Sequence, residues 1–194
     1  MNQIRFAGTA VVLLALTFTG CQQPDMDMEK MMQLPPRAAE LKQLDAFVGN
    51  WEGISKAEVK GMEEFVTTSG AEVLHWEADG RILVSTFDYS MADAPDHYKG
   101  ISVMLWDPAA KKVRSWSFTG HGDVGEGSMT YDDATRTWTG KDKGYNLASR
   151  GRTCGEGSIT FQDDDTQTWK WTMYARWLFF KFKVMEFEGK SVRK

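Results

Sequence analysis

Phe47-Val48-Gly49-Asn50-Trp51-Glu52-Gly53 is where the periodicity of the chain changes. Before it, apolar residues at Ala38, Leu41, Leu44 and Phe47 or Val48 keep helical spacing, and Pro35-Pro36 closes whatever precedes them. This spacing predicts a short amphipathic helix over 37–47. From Trp51 onward the period is two. The clearest run is Thr168-Trp169-Lys170-Trp171-Thr172-Met173-Tyr174-Ala175-Arg176-Trp177, in which Trp169, Trp171, Met173, Ala175 and Trp177 share one face and polar residues share the other. Such alternation marks a long strand with one buried side. Noisier runs of the same kind lie at 63–77, 81–89, 100–106, 112–119, 128–131, 135–140, 157–162 and 181–187.

Between these runs stand turn signals: Ala78-Asp79-Gly80, Asp107-Pro108, Tyr131-Asp132-Asp133 and Asp163-Asp164-Asp165. Their spacing fits an antiparallel meander and not helices alternating with parallel strands. So many consecutive up-and-down strands would leave exposed edges, and closing the sheet removes them. The expected fold is therefore all-β: an antiparallel up-and-down barrel of about nine to ten strands, with a short N-terminal helix. A barrel of that size is wide enough to enclose a small ligand.

Further out, the chain of 194 residues is long enough for one domain with a sizeable core, expected over 37–194. Residues 1–20 read as a targeting signal, with Arg5 supplying a basic start and Ala7 to Thr19 apolar or small apart from threonines. That stretch is too short to span a membrane. It ends in Leu16-Thr17-Phe18-Thr19-Gly20-Cys21, which resembles the bacterial lipobox. The resemblance implies lipidation of Cys21 and a membrane partner through that anchor. Gln22 after the cysteine implies a place in the cell envelope, on the outer membrane facing the periplasm where the organism has one. Without Arg5, 22 basic residues face 27 acidic ones, a mild acidity that offers nucleic acid no electrostatic footprint. Residues 21–36 read as a flexible tether; its run Asp25-Met26-Asp27-Met28-Glu29-Lys30-Met31-Met32 has soft thioethers but lacks the fixed geometry of a metal site. Cys154 then has no disulfide partner, although a bridge to Cys21 would be open were Cys21 not lipidated. With glycines around it and no histidine nearby, Cys154 reads as a packed thiol.

Gly49-Asn50-Trp51 after a short helix resembles the Gly-x-Trp start of the calycins, the lipocalin and fatty-acid-binding-protein group, whose tryptophan plugs one end of the barrel. The body of the chain resembles a family of bacterial lipocalin-like domains of unknown function. That likeness rests on Ser69-Gly70-Ala71-Glu72-Val73-Leu74-His75-Trp76, Asp79-Gly80-Arg81, Gly100-Ile101-Ser102-Val103-Met104-Leu105-Trp106-Asp107-Pro108 and Asp163-Asp164-Asp165-Thr166-Gln167-Thr168-Trp169. It implies a scaffold and carries no catalytic set.

Candidate chemistry is sparse. His75, His97 and His121 show no spacing of a metal motif, so no metal site is expected. Nitrobindins, ten-stranded barrels of calycin type, hold haem through a histidine from a late strand. Here no histidine follows His121, which leaves His75 and His121 as the available axial ligands and argues against a haem cofactor. Glu72, Glu77, Asp88, Glu126 and Glu156 lie in or beside strands, and an inward carboxylate would suit acid or base work. Arg114 shares a face with Trp116 and Phe118, placing it either inside to meet an anionic head group or stacked at a barrel end. Of eight tryptophans, Trp169, Trp171 and Trp177 share one strand face and are expected in the core first. The Trp177-Leu178-Phe179-Phe180 run suits either a rim facing a partner or a membrane, or a strand bend that buries both faces. The candidate ligand-binding set is His75, Arg114, Trp116, His121 and Trp171. Two function classes stay open: a lipid-anchored envelope module that takes up a small apolar ligand or serves structurally, and an enzyme acting on such a ligand inside the barrel.

Overall fold

The computed structural model describes residues 33, 36–91, 96–147, 150–177 and 180–194. The signal segment, Cys21, nearly all of the methionine-bearing tether, the loop residues 92–95, and Leu178 and Phe179 of the aromatic run lie outside the described residues. Arg37–Lys194 form one unit.

Its first element is a helix, Ala39–Phe47, of the 3-10 type. The sequence spacing explains why: Leu41, Leu44 and Phe47 are three apart, so a three-residue turn stacks them on one side, and all three are buried. Nine residues is long for a 3-10 helix, and the burial of this stripe holds it. The Val48 N–H donates to the Asp45 carbonyl at 3.1 Å and ends the helix. Gly49 then takes φ 137°, which favours glycine, and a Cβ there would meet the Arg193 guanidinium at 2.6 Å. The handover seen in the sequence is therefore a fixed backbone corner.

Ten strands follow: β1 (Gly49–Val59), β2 (Val66–Glu77), β3 (Ile82–Met91), β4 (His97–Asp107), β5 (Lys112–Thr119), β6 (Asp123–Asp132), β7 (Thr137–Asn146), β8 (Arg152–Phe161), β9 (Thr166–Trp177) and β10 (Phe180–Arg193). Each pairs antiparallel with the next, and β1 pairs with β10 from Trp51↔Arg193 to Val59↔Met185 to close the barrel. A register shift between Lys183 and Met185 bends β10 against β9. Several strands run well past their apolar stretches. β6, β7, β8 and β10 extend through glycine-bearing segments such as Gly125-Glu126-Gly127 and Gly155-Glu156-Gly157, whose apolar signal is nil but whose ladder hydrogen bonds are complete.

One end of the barrel is plugged. Leu41, Leu44 and Phe47 of the helix pack with Trp51, Leu74, Leu83, Val113, Met129, Trp138 and Phe161 into a single buried cluster. The Trp51 indole N–H donates to the Phe47 carbonyl at 2.7 Å, tying helix to barrel. Arg193, the last residue of β10, sits with its guanidinium 4.5 Å from the Trp51 ring and donates to the carbonyls of Val48, Ala46 (2.9 Å) and Asp164 (2.8 Å). The turns at this end have the chemistry read from sequence. Asp107 accepts from the Ala109 and Ala110 N–H groups, Asp132 from the Ala134 N–H and Asp163 from the Asp165 N–H, at 2.9–3.0 Å.

Candidate functional site

The registers fix which side chains enter the barrel. Starting from the buried Trp51, the inner face continues through Glu72↔Phe87, Ser85↔Ser102, Ser102↔Ser117, Ser117↔Gly125, Gly125↔Gly144 and Gly144↔Thr153. Beyond the plugged end, the inner wall of β5 to β8 therefore carries Ser115, Ser117, Gly125, Gly127, Gly140, Gly144, Gly155 and Gly157, residues too small to fill the middle. What they leave is a cavity of about 400 Å³, lined among others by Ser115, Ser117, Asp142, Thr153, Trp171 and Met173. It reaches toward the end opposite the helix, where Tyr98, Asp123 and Asn146 also line it.

Trp171 on β9 is the large side chain of this cavity. A Cβ on Gly155 or Gly157 would strike its indole, and one on Gly140 would come within 2.9 Å of it. The ring thus lies flat against the wall on three glycines, in the same way that Phe87 lies over Gly100 and Trp169 over Gly189. Its indole N–H donates to Asp142 Oδ2 at 2.7 Å. Burial pushes the Asp142 carboxyl above the usual range, opposed by the Trp171 hydrogen bond and one from the Gly155 N–H.

Two more carboxylates face inward. Glu72 accepts from the Ser85 hydroxyl and, at 3.4 Å, from the Tyr89 hydroxyl; burial raises its pKa against those bonds. The Tyr89 phenol is pushed well up in turn, by burial and then by Glu72. Asp123, at the mouth, accepts from Asn146 Nδ2 (2.6 Å), Thr119 Oγ1 (3.1 Å) and the Tyr98 hydroxyl (3.2 Å). Burial, followed by Asp123, pushes Tyr98 up to about 12.

Because burial raises the Glu72 pKa in the fold, its protonated form fits the folded state better than its charged form. Its cost is absent below the ordinary value of 4.5 and grows as pH rises through the folded value. Glu72→Gln should therefore gain in stability over the wild type as pH rises above 4.5, with the two converging at lower pH. Thermal melts of both proteins across pH 4 to 8 check this; a difference independent of pH would contradict it.

Of the candidate ligand-binding set His75, Arg114, Trp116, His121 and Trp171, the described residues lining the cavity include Trp171 alone; of the candidate carboxylates, Glu126 borders it from the outward-facing side of β6. His121 sits in the β5–β6 turn at the mouth, its ring stacked on Tyr98 at 5.5 Å and 19°. Arg114 and Trp116 lie on the outer face of β5, the guanidinium 5.7 Å from the indole and paired with Glu126 and Asp107. His75 also faces outward, 49% exposed, and pairs with Glu77 at 3.2 Å. Asp88 faces out to His97 (2.6 Å) and Lys99 (2.9 Å), and Glu156 to Tyr174 (2.9 Å) and Lys181 (3.3 Å). His75 and His97 thus lie outside the barrel and His121 on a rim turn, so none of the three imidazoles stands on the inner wall. Nor do three or more His, Cys, Asp or Glu side chains converge as metal ligands among the described residues. Cys154 is a half-buried free thiol on β8.

Asp142, Ser115 and Ser117 escaped the sequence reading: Asp142 lies outside the alternating runs, and the two serines stand on the face of the 112–119 run opposite its aromatic residues. The signal that could have found them is the glycine at every second position, 125 and 127, 155 and 157, which marks one face of β6 and of β8, on either side of β7, stripped of side chains.

A closed ten-stranded antiparallel barrel, plugged by a helix at one end and hollow toward the other, is a lipocalin-like fold. More particularly, the chain belongs to the family described as protein of unknown function DUF1579, which matches residues 37–180. Among solved structures it is similar to Rv2717c from M. tuberculosis, at 11% identity over 81% of this chain and 99% of that one, with a TM-score of 0.63. It is also similar to the S-type phycobiliprotein lyase CPES from Guillardia theta, at 14% identity over 79% and 91% of the two chains, TM-score 0.56. At such identities the likeness is one of fold. No curated protein matches the chain in sequence.

Proposed function

We propose that this chain is a binding protein of the cell envelope, lipid-anchored at Cys21, whose barrel takes a small, largely apolar ligand into the cavity beside Trp171. The observation that carries the reading is the cavity itself. Natural cores are packed to crystal-like density, and here a cavity of about 400 Å³, open at the mouth, stands where a narrower barrel would fill with side chains. Here the void follows from glycines and serines set in adjacent strands, with one aromatic ring laid flat along its side. Its volume lies within the range of small-molecule sites. Within this reading, residues 1–20 direct export and are removed, and 21–36 link the lipidated cysteine to the barrel.

Native mass spectrometry of the full chain, purified in detergent from an envelope-expressing host, tests the reading. A discrete extra mass beyond the lipid anchor is expected. A protein that stays at its bare mass there and when offered an extract of envelope small molecules would refute it. In the same preparation, the diacylglyceryl mass should vanish in Cys21→Ser.

A further inference from the structure

The inner face of the barrel is electrically one-sided. Glu72, Asp123 and Asp142 all point inward, and every hydrogen bond they receive inside comes from a neutral group: Ser85 and Tyr89 for the first, Asn146, Thr119 and Tyr98 for the second, Trp171 and Gly155 for the third. Among the described residues, no cationic side chain is bonded to these carboxylates from the inner face. Among the residues whose side chains are described, the strand registers turn every lysine and arginine of the barrel strands outward except Arg193. That one sits at the plugged end and is committed to Ala46, Val48, Asp164, Asp165 and the face of Trp51. Lys141 and Lys143, which flank Asp142 in sequence, also border the cavity, but their alternate position on β7 turns both to its outer side, where they are exposed.

Carboxylates drawn out of water without a counter-charge are costly, and the cost is relieved when a cation arrives with a hydrogen bond to offer. Asp142 is the one best placed to receive it. It lines the cavity directly, it is held in place by the Trp171 indole N–H at 2.7 Å, and that same indole presents a ring along the cavity wall. A carboxylate beside an aromatic face is the arrangement that recognises an organic ammonium group, through a charge-assisted hydrogen bond and attraction to the ring quadrupole. A ligand bearing a carboxylate would meet acidic groups at Asp142 on the wall and at Asp123 at the mouth.

We therefore infer that the ligand is an aromatic or otherwise flat apolar molecule bearing a protonated amine, the amine on Asp142 and the body against Trp171. This deepens the binding function proposed above and rests on it.

Three probes that share one ring system separate the possibilities: 2-naphthylmethylamine, 2-naphthylmethanol and 2-naphthoic acid. Each is titrated at pH 7 against the full chain in detergent, following quenching of tryptophan fluorescence. The amine is expected to bind at least about tenfold more tightly than the alcohol, a difference suited to one charge-assisted hydrogen bond, with the acid weakest. In Asp142→Asn the amine should fall to within about threefold of the alcohol, while the alcohol keeps its own affinity. Should that variant fail to fold, the comparison in the wild type decides alone. If the alcohol or the acid binds as tightly as the amine, the charge inference is overturned and the binding cavity stands. If none of the three binds, both fall.

Discussion

Replacing Trp51 with alanine is expected to cost about 3–5 kcal/mol, the range of buried tryptophan truncations, out of a total stability of about 5–15 kcal/mol for a domain of ordinary stability. The size follows from what the ring does at the plug. Its side chain is 1% exposed, its edge meets Phe161 at 6.1 Å between centroids, and Arg193 lies over its face. Truncation opens a cavity among Leu44, Phe47 and Phe161, leaves the Phe47 carbonyl without its donor and removes the aromatic surface under a guanidinium. Because β1 closes the barrel by pairing with β10 at Trp51↔Arg193, the damage falls on the seam of the sheet. Trp116→Ala is the control: that ring sits on the outer wall, and its loss should cost about 1 kcal/mol. Urea unfolding of both variants checks the contrast, and equal losses would contradict the plugged-end account.

The second large effect is on binding. Ser117→Phe should leave a folded barrel and weaken ligand binding by about a hundredfold or more, since the new ring occupies the cavity that the ligand needs. Ser117 is an inner-face residue of β5 paired with Gly125, so a phenylalanine there has bare backbone beside it to lie on, as Phe87 has at Gly100. Aromatic residues suit strands, and the site has empty volume in front of it, which keeps the cost to the fold small. A melt close to the wild type, together with lost binding, is the expected pair of results.

The two ends of this barrel differ in how far they can be read from sequence, and the reason is physical. The plugged end is made of large apolar residues at regular spacing: Leu41, Leu44 and Phe47 announce the helix, Trp51 the first strand, and the aspartate turns close each hairpin. Spacing alone gave a helix, and only the three-residue interval, taken literally, shows it to be of the 3-10 type. The hollow end is built from what is absent. Glycine and serine carry no hydrophobic period, so 123–127, 141–146 and 152–156 give no strand signal although they are fully paired. The site residues suffered from a related ambiguity. Alternation puts Arg114 and Trp116 on one face without saying which, and an aromatic pair with an arginine fits an inner wall as well as an outer one. Register with Trp51 decides it, and that is long-range information. Trp171 was legible because its face is marked by Trp169 and Met173 together; Asp142, its hydrogen-bond partner, stands between two lysines and looks like any solvated strand residue.

The most direct test of the cavity as a ligand site is the native mass of the wild type and of Ser117→Phe, purified side by side from the same host. The account predicts an added mass on the wild type and none on the variant, with both proteins folded. An added mass retained in full by the variant would place the ligand elsewhere and contradict it.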